Sequence, residues 1–314
     1  MSRIFGPVPS RRLGRSLGID IVPYKTCTFD CVYCECGRTT NLTCERREFY
    51  PLEELLAAVR DRLGRLAEPP DHLTLSGAGE PTLYSRMGEL IAGLKRISDV
   101  PVAVITNGSL LGDPAVRKEL LGADVVLPSL DAVFETVFRK INRPHDDCRL
   151  EKIIEGLETF VGEFRGRVLL EILLVEGYNT GEDHLEALAA VVRRLPVEAV
   201  QINTAVRPGT VPGVGPLAPD ALERIRERFG PRAEIVASTP VRAGHEEKAA
   251  VETILEMVAR RPCTAADIHR SLGTPLPGVI KILATLESRG EVSSSPHGTD
   301  TFYTAVKRDG GKKE

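Results

Sequence analysis

Short runs of β-branched and other apolar residues alternate with amphipathic stretches over the first two-thirds of the chain. This alternation is expected of repeated βα units around a parallel sheet. The apolar runs predict strands over residues 17–22, 72–76, 102–106, 125–130, 168–175 and 199–203. The amphipathic stretches predict helices over residues 52–66, 84–97, 114–121, 150–164 and 184–195. The predicted fold class is α/β, a partial (β/α)6 barrel of the TIM type, with its active site at the carboxyl ends of the strands.

The pattern changes in the last quarter of the chain. After a stretch whose Ser, Pro and Gly residues favour a linker, three helical patterns cover residues 251–258, 265–272 and 276–288. Two short strands follow, and three helices with a β-hairpin resemble a small winged helix-turn-helix domain. We therefore expect a barrel, a linker, a winged helix-like domain and a disordered tail, over residues 1–236, 237–245, 246–306 and 307–314 respectively.

Composition narrows the class of protein. Apolar residues make up 42% and charged residues 27%, and no apolar run reaches the ~18 residues that a transmembrane helix needs. The first residues have no apolar core of the length that a signal peptide requires. We therefore expect a cytoplasmic protein without membrane contact. The formal net charge of −3 excludes a generally basic protein, so that any nucleic-acid contact needs a local patch.

The chemistry is concentrated in the segment Cys27-Thr-Phe-Asp-Cys31-Val-Tyr-Cys34. Three thiolates in a C-x3-C-x2-C pattern supply one ligand fewer than a cubane iron–sulfur cluster needs, which leaves one iron open to another ligand. A zinc site completed by Cys44 is the alternative, although only one C-x2-C pair occurs. A disulfide framework is not expected, because the seven cysteines are odd in number and crowded toward one end.

This spacing resembles the signature of the radical S-adenosylmethionine (SAM) superfamily. The resemblance implies a [4Fe–4S] cluster bound by Cys27, Cys31 and Cys34, with SAM chelating the open iron. It further implies reductive cleavage of SAM to a 5′-deoxyadenosyl radical that abstracts hydrogen from a substrate. A flavodoxin or ferredoxin would supply the electron. Tyr33 occupies the place of an aromatic residue that packs beside the SAM adenine in this superfamily, and simple loop packing is its alternative role.

Three further motifs follow successive predicted strands and resemble SAM-binding elements of the superfamily. The stretch Gly77-Ala78-Gly79-Glu80 is similar to a Gly-Gly-Glu-Pro element whose backbone binds the SAM amino group, with Ala in place of the first Gly. The other candidates for cofactor binding are Asn107, Ser129, Asp131 and Asn203. Asn107 could instead form a simple Asn-Gly turn, and Asp131 could cap a helix.

Other polar residues have roles that the motifs do not define. Glu171 lies in an apolar strand and needs a partner, which we expect to be Arg143 or Arg207. The Arg11-Arg12 pair could meet an anionic substrate or simply be solvated. No second close-set group of cysteines exists, so we expect a single cluster, with Cys44 either a functional thiol or a buried one.

The sequence defines the class of substrate less narrowly than it defines the cofactors. The stretch from Phe5 through the cysteines resembles a bacterial and archaeal group of iron–sulfur oxidoreductases that is related to tRNA wyosine-base synthases. This relation implies RNA modification, with the winged helix holding tRNA. Residues 246–314, however, carry ten acidic and ten basic residues rather than a basic stripe. A peptide- or protein-modifying enzyme and an iron–sulfur-sensing transcription regulator are therefore the alternatives.

Overall fold

In the computed structural model, the described residues are 3–10, 12–236, 251–272, 274, 276–298 and 300–306. They fall into two compact units, one up to residue 236 and one from residue 251. The predicted linker over 237–245 and the predicted tail over 307–314 lie outside the described residues.

The first unit is a mixed α/β structure with a central parallel sheet. Its eight described strands are β1 (Ile4–Ser10), β2 (Gly14–Ile19), β5 (His72–Leu75), β6 (Val102–Thr106), β7 (Val125–Pro128), β8 (Arg167–Leu174), β9 (Ala199–Thr204) and β10 (Ala233–Ile235). They lie side by side in that order, and all except the antiparallel β1 run parallel to their neighbours. A separate short pair joins β3 (Thr26–Cys27) to β4 (Asn41–Leu42).

Helices connect the parallel strands, as βα units require. They are α1 (Leu52–Gly64), α2 (Met87–Ile97), α3 (Pro114–Leu120), α4 (Glu135–Ile141), α5 (Leu150–Glu163), α6 (Glu182–Arg194) and α7 (Pro219–Arg228). Alternate strand residues such as Leu170 and Ile172 pack with the helices into the main core. Leu169, from the opposite face of β8, packs instead with Leu13 and Leu127. Because the strands from β2 to β10 are parallel, the residues that follow them lie along one edge of the sheet.

Each of the six strands predicted from the sequence overlaps a strand of the structure, and β6 has the predicted limits. The first predicted strand is displaced: β2 ends at Ile19, and the chain then turns toward the cysteines. β1 was not predicted because Gly6, Pro7 and Pro9 interrupt its pattern. Proline is tolerated there because β1 is the edge strand. β10, α4 and α7 were also missed.

The second unit contains α8 (Val251–Arg260), α9 (Ala265–Leu272) and α10 (Leu276–Ser288). Its antiparallel sheet has the order β11 (Cys263–Thr264), β13 (Asp300–Ala305), β12 (Val292–His297). Ile254, Leu283 and Phe302 are among its buried apolar residues. Across the described part of both units, no helix combines the length and apolar character needed to cross a membrane.

Candidate active site

The cysteine loop, residues 25–44, leaves the sheet after β2 and is held from several sides. The amide of Lys25 donates to the carbonyl of Ala78, and the amide of Glu80 donates to the carbonyl of Thr26. On the other side, the amide of Val32 donates to the carbonyl of Ile141 at the end of α4. The loop is thus tied to the turn after β5 and to α4, so that its three cysteines have fixed surroundings.

Each of the three cysteines has a nitrogen donor beside its sulfur. Asn107 Nδ2 lies 3.7 Å from Cys27 Sγ, and Asn142 Nδ2 lies 3.5 Å from Cys31 Sγ. Lys25 Nζ donates to Cys34 Sγ at 3.0 Å. The donors come from the end of β6, the end of α4 and the loop itself. Hydrogen bonds to sulfur of this kind stabilise cluster thiolates and influence the reduction potential of an iron–sulfur cluster.

The surroundings raise the pKa of two of these thiols and lower the pKa of the third. Burial raises the pKa of Cys27 to about 12 and raises that of Cys31 well above its ordinary value. The pKa of Cys34 is lowered to about 6, because the thiol of Cys36 and then the ammonium of Lys25 stabilise its thiolate. A bound metal deprotonates coordinating thiols outright. The raised pKa values of Cys27 and Cys31 are therefore compatible with metal ligation, as is the lowered pKa of Cys34.

The donor set distinguishes a cluster from a zinc site. Among the described residues, no three His, Cys, Asp or Glu side chains converge closely enough to hold a single metal ion. Cys44, which the zinc alternative requires, has its sulfur 3.4 Å from Cys148 instead. In a cubane each thiolate binds a different iron, so the sulfurs need not converge. The three thiols with separate nitrogen donors therefore fit a three-cysteine [4Fe–4S] cluster, and Cys44 is not placed to complete a zinc set with them.

The turn after β5 brings the backbone close to the cysteine loop. A Cβ on Gly79 would lie 2.1 Å from the carbonyl oxygen of Thr26, and Gly77 has φ of +153°, so that both positions require glycine. The carboxylate of Glu80 is buried and accepts hydrogen bonds from Thr82 N at 3.0 Å, Thr106 Oγ1 at 2.6 Å and Asn107 N at 2.8 Å. Glu80 thus fixes the position of Asn107.

Asp131 forms a second buried centre. Its Oδ2 accepts from the hydroxyl of Tyr33 and from Asn142 Nδ2 at 2.8 Å, and its Oδ1 accepts from Leu173 N at 2.9 Å. The helix-cap alternative for Asp131 is wrong, since α4 begins at Glu135 and Asp131 bonds elsewhere. Burial raises the pKa of Asp131 to about 6 and raises that of Tyr33 well above its usual range.

Several of the predicted residues line one small cavity. Asn107, Ser129 and Asp131 line it together with the unpredicted Asn142 and the apolar Phe29. Asn107 also forms the predicted turn, since its Oδ1 accepts from Ser109 N at 3.0 Å. The turn role of Asn107 is therefore present, and its cofactor contact stays a prediction.

Asn203 lies apart from that wall, with its Nδ2 3.1 Å from Glu171 Oε1. The predicted partners of Glu171 were wrong: its carboxylate pairs with Arg12 at 2.8 Å. Arg207 pairs with Glu35 at 3.1 Å, and Arg143 lies 3.8 Å from Asp30. The sequence could not give these pairings, because Arg12 comes from the turn between β1 and β2 on the far side of the sheet. Arg12 is accordingly paired rather than solvated.

Two residues of the site were missed by sequence reasoning. Lys25 had a general signal, because a basic residue beside a cysteine motif can stabilise a thiolate, but the sequence does not indicate that this thiolate is Cys34, nine positions away. Asn142 had none: it ends a helix that the sequence pattern did not indicate, and it is far along the chain from the cysteines that it contacts.

Comparison with known proteins agrees with this geometry. Residues 21–191 match the model of the Radical SAM superfamily, whose enzymes use a [4Fe–4S] cluster and SAM. The UPF0026 protein MJ1312 of Methanocaldococcus jannaschii is 38% identical over 77% of this chain and 74% of its own length. A UPF0026 protein of Helicobacter pylori is 31% identical over 96% of this chain and 97% of its own.

Two further similarities are partial. A protein of Brachyspira hyodysenteriae named GTPase Obg is 34% identical over 92% of this chain, which spans only 43% of that relative. The crystal structure of a radical SAM methyltransferase from Sphaerobacter thermophilus matches with a TM-score of 0.55 and 19% identity over 70% of this chain and 65% of that one. This likeness concerns the fold alone. By its family match and its UPF0026 relatives, the chain belongs to the radical SAM superfamily and, within it, to the UPF0026 proteins.

Proposed function

We propose that this protein is an enzyme that cleaves SAM reductively at a [4Fe–4S] cluster bound by Cys27, Cys31 and Cys34. The observation that carries the proposal is the cysteine loop, where each of the three thiols has its own nitrogen donor. With both cofactors bound, the site would supply a 5′-deoxyadenosyl radical for hydrogen abstraction from a substrate. The strands and helices of the first unit support a partial (β/α)6 barrel over residues 1–236 as the scaffold.

The residues around the loop have distinct tasks in this proposal. Lys25, Asn107 and Asn142 donate to the thiolates and hold their orientation. A three-cysteine set leaves one iron for SAM. Glu80 fixes Asn107, so the donor to Cys27 depends on a buried carboxylate five residues past the end of β5.

SAM would lie against the turn after β5 and the cavity wall. The backbone of Gly77, Ala78 and Gly79 would bind its amino group, with the Ala78 carbonyl offering the lone pair that Lys25 N leaves free. Asn107, Ser129 and Asp131 would contact its polar groups, with Asn203 on β9 as a further contact. Tyr33 is pinned by its hydrogen bond to Asp131, which supports a fixed aromatic surface for the adenine.

For the substrate we propose RNA, supported by the resemblance to tRNA wyosine-base synthases. Residues 246–306 would act as a winged helix-like domain that holds it, and a flavodoxin or ferredoxin would be the electron donor. A peptide or protein substrate is a second candidate with its own support: α10 exposes Leu276 and Ile280, at 37% and 49%, while Lys281 is its only basic residue in the described part. The regulator alternative ranks last, because it has no need of the turn after β5.

The first test is SAM cleavage by anaerobically reconstituted protein under dithionite. We expect wild type to form 5′-deoxyadenosine and the Cys31→Ala variant to form none. Cys263→Ala is the matched control, since that cysteine lies in the second unit, and it should keep wild-type cleavage. An intact cubane spectrum in wild type that SAM does not perturb, without cleavage, would reject the proposal.

A second test separates the substrate classes. Purified protein would be incubated with total tRNA and with a peptide library, and each bound fraction recovered. Retention of tRNA that falls with increasing salt would support RNA, because phosphate contacts release counterions. Retention of peptides alone would support the second candidate and reject RNA.

A further inference from the structure

Cys44 and Cys148 are far apart in sequence but adjacent in space. Their Sγ atoms are 3.4 Å apart, about 1.4 Å more than in a disulfide bond of about 2.0 Å. Both cysteines are free thiols, Cys148 is buried and Cys44 is partly exposed. Neither belongs to the proposed cluster ligands, so the pair has no role in the function proposed above.

The pair lies directly behind the first cluster cysteine. The amide of Thr43 donates to the carbonyl of Cys27 at 3.0 Å, and the amide of His145 donates to the carbonyl of Thr28 at 2.8 Å. Cys148 Sγ is itself 4.0 Å from the carbonyl of Thr28. The segments that carry Cys44 and Cys148 therefore hold the Cys27–Thr28 backbone from two sides.

We propose that Cys44 and Cys148 are a redox-active dithiol that closes reversibly to a disulfide by exchange with a low-molecular-weight disulfide. The partly exposed Cys44 reacts first: its thiolate attacks one sulfur of the external disulfide, and one thiol leaves. Cys148, after losing its proton, attacks the Cys44 sulfur of the mixed disulfide, and the second thiol leaves. The protein loses two electrons and two protons, and the external disulfide takes them up as two thiols.

The closed bond joins the two segments that contact Cys27 and Thr28. A covalent link between them restricts their separation, which favours keeping the amides of Thr43 and His145 on the carbonyls of Cys27 and Thr28. The dithiol thus acts as a clasp between the end of the cysteine loop and the segment after α4. This inference does not depend on the proposed function, because its readouts are a covalent bond and backbone exchange.

The test treats the full-length, cluster-loaded protein anaerobically with glutathione disulfide, alkylates the remaining thiols and identifies cross-linked peptides by mass spectrometry. We expect one cross-linked peptide containing Cys44 and Cys148, with loss of both sites from alkylation, and its reversal by dithiothreitol. Cys44→Ser and Cys148→Ser should each lack it. The control Cys263→Ser should form it to the wild-type extent.

Hydrogen exchange supplies the second readout. The amides of Thr43 and His145 should exchange more slowly in the oxidised protein than in the reduced one, with no change in α10. Glutathione left on Cys44 while Cys148 remains alkylatable would overturn the proposal, and so would a cross-link to one of the cluster cysteines. Unchanged exchange at both amides would overturn the clasp. Because the wild-type cross-link needs no variant, poor folding of Cys148→Ser would not obscure the result.

Discussion

The two units of this chain treat polar side chains differently. In the first, carboxylates such as Glu80 and Asp131 are buried at the ends of parallel strands and are surrounded by donors. In the second, none of the described charged side chains is buried, and the interior is formed by residues such as Leu283 and Phe302. Burying a carboxylate is costly unless its hydrogen bonds are satisfied. The first unit therefore contains buried carboxylates that lower its stability unless they are fully hydrogen-bonded, and the described part of the second unit contains none. This difference is expected if chemistry lies in the first unit and recognition in the second.

The largest effect on stability should come from removing the Glu80 carboxylate. Glu80→Ala leaves the amides of Thr82 and Asn107 without their buried acceptor, and we expect the free energy of unfolding of the first unit to fall by about 4 kcal/mol. Urea denaturation would measure it. Glu89→Ala is the control, because that carboxylate forms only an exposed pair with Arg86 and should change stability by less than about 1 kcal/mol. Equal effects of the two substitutions would refute the special role of the buried network.

Next in size is the apolar core of the second unit. Leu283→Ala removes a fully buried side chain from α10 and should destabilise this unit by about 3 kcal/mol. Native-state hydrogen exchange would then be roughly 100-fold faster over residues 251–306 and unchanged in the first unit. Leu276→Ala, on the exposed side of the same helix, should change exchange little. A loss of protection in both units would contradict their separation.

The third effect is a pH dependence of the first unit. The pKa of Asp131 is raised to about 6 by burial, from a usual value of 3.8. Between these values the folded state binds more protons than the unfolded state, so the free energy of unfolding should fall as the pH rises through this window. Two pKa units correspond to about 2 to 3 kcal/mol. Urea titrations of protein without cofactors at pH 4 to 7 would measure the fall. Asp131→Asn should remove the part due to Asp131 and leave the part due to Glu80, whose pKa burial also raises. A fall of unchanged size in Asp131→Asn would assign it to another group.

The sequence predicts the parts of this molecule that depend on local pattern. Strand β6 has the limits that its apolar run indicates, and the spacing of Cys27, Cys31 and Cys34 predicts one loop. What it does not give are contacts between distant segments. Asn142 and Arg12 occupy their places because the fold brings α4 and the β1–β2 turn to the site, and no local pattern encodes those approaches. The proline-interrupted β1 was missed for a related reason, since its neighbour β2 rather than its own composition makes it a strand.

The substitution with the smallest effect on stability should tell most about which substrate the second unit binds. Ile280 lies half-exposed on α10, so Ile280→Glu should change the free energy of unfolding by no more than about 0.5 kcal/mol and leave SAM cleavage intact. If this face binds a peptide or protein, the same substitution should raise the Kd roughly tenfold, because an apolar anchor is replaced by a charge. Lys281→Gln is the matched control on the neighbouring residue. An RNA substrate would reverse the order, since Lys281 could contact phosphate and Ile280 could not. Binding titrations of both variants against tRNA and peptide would therefore decide between the substrate classes while the chemistry of the first unit stays constant.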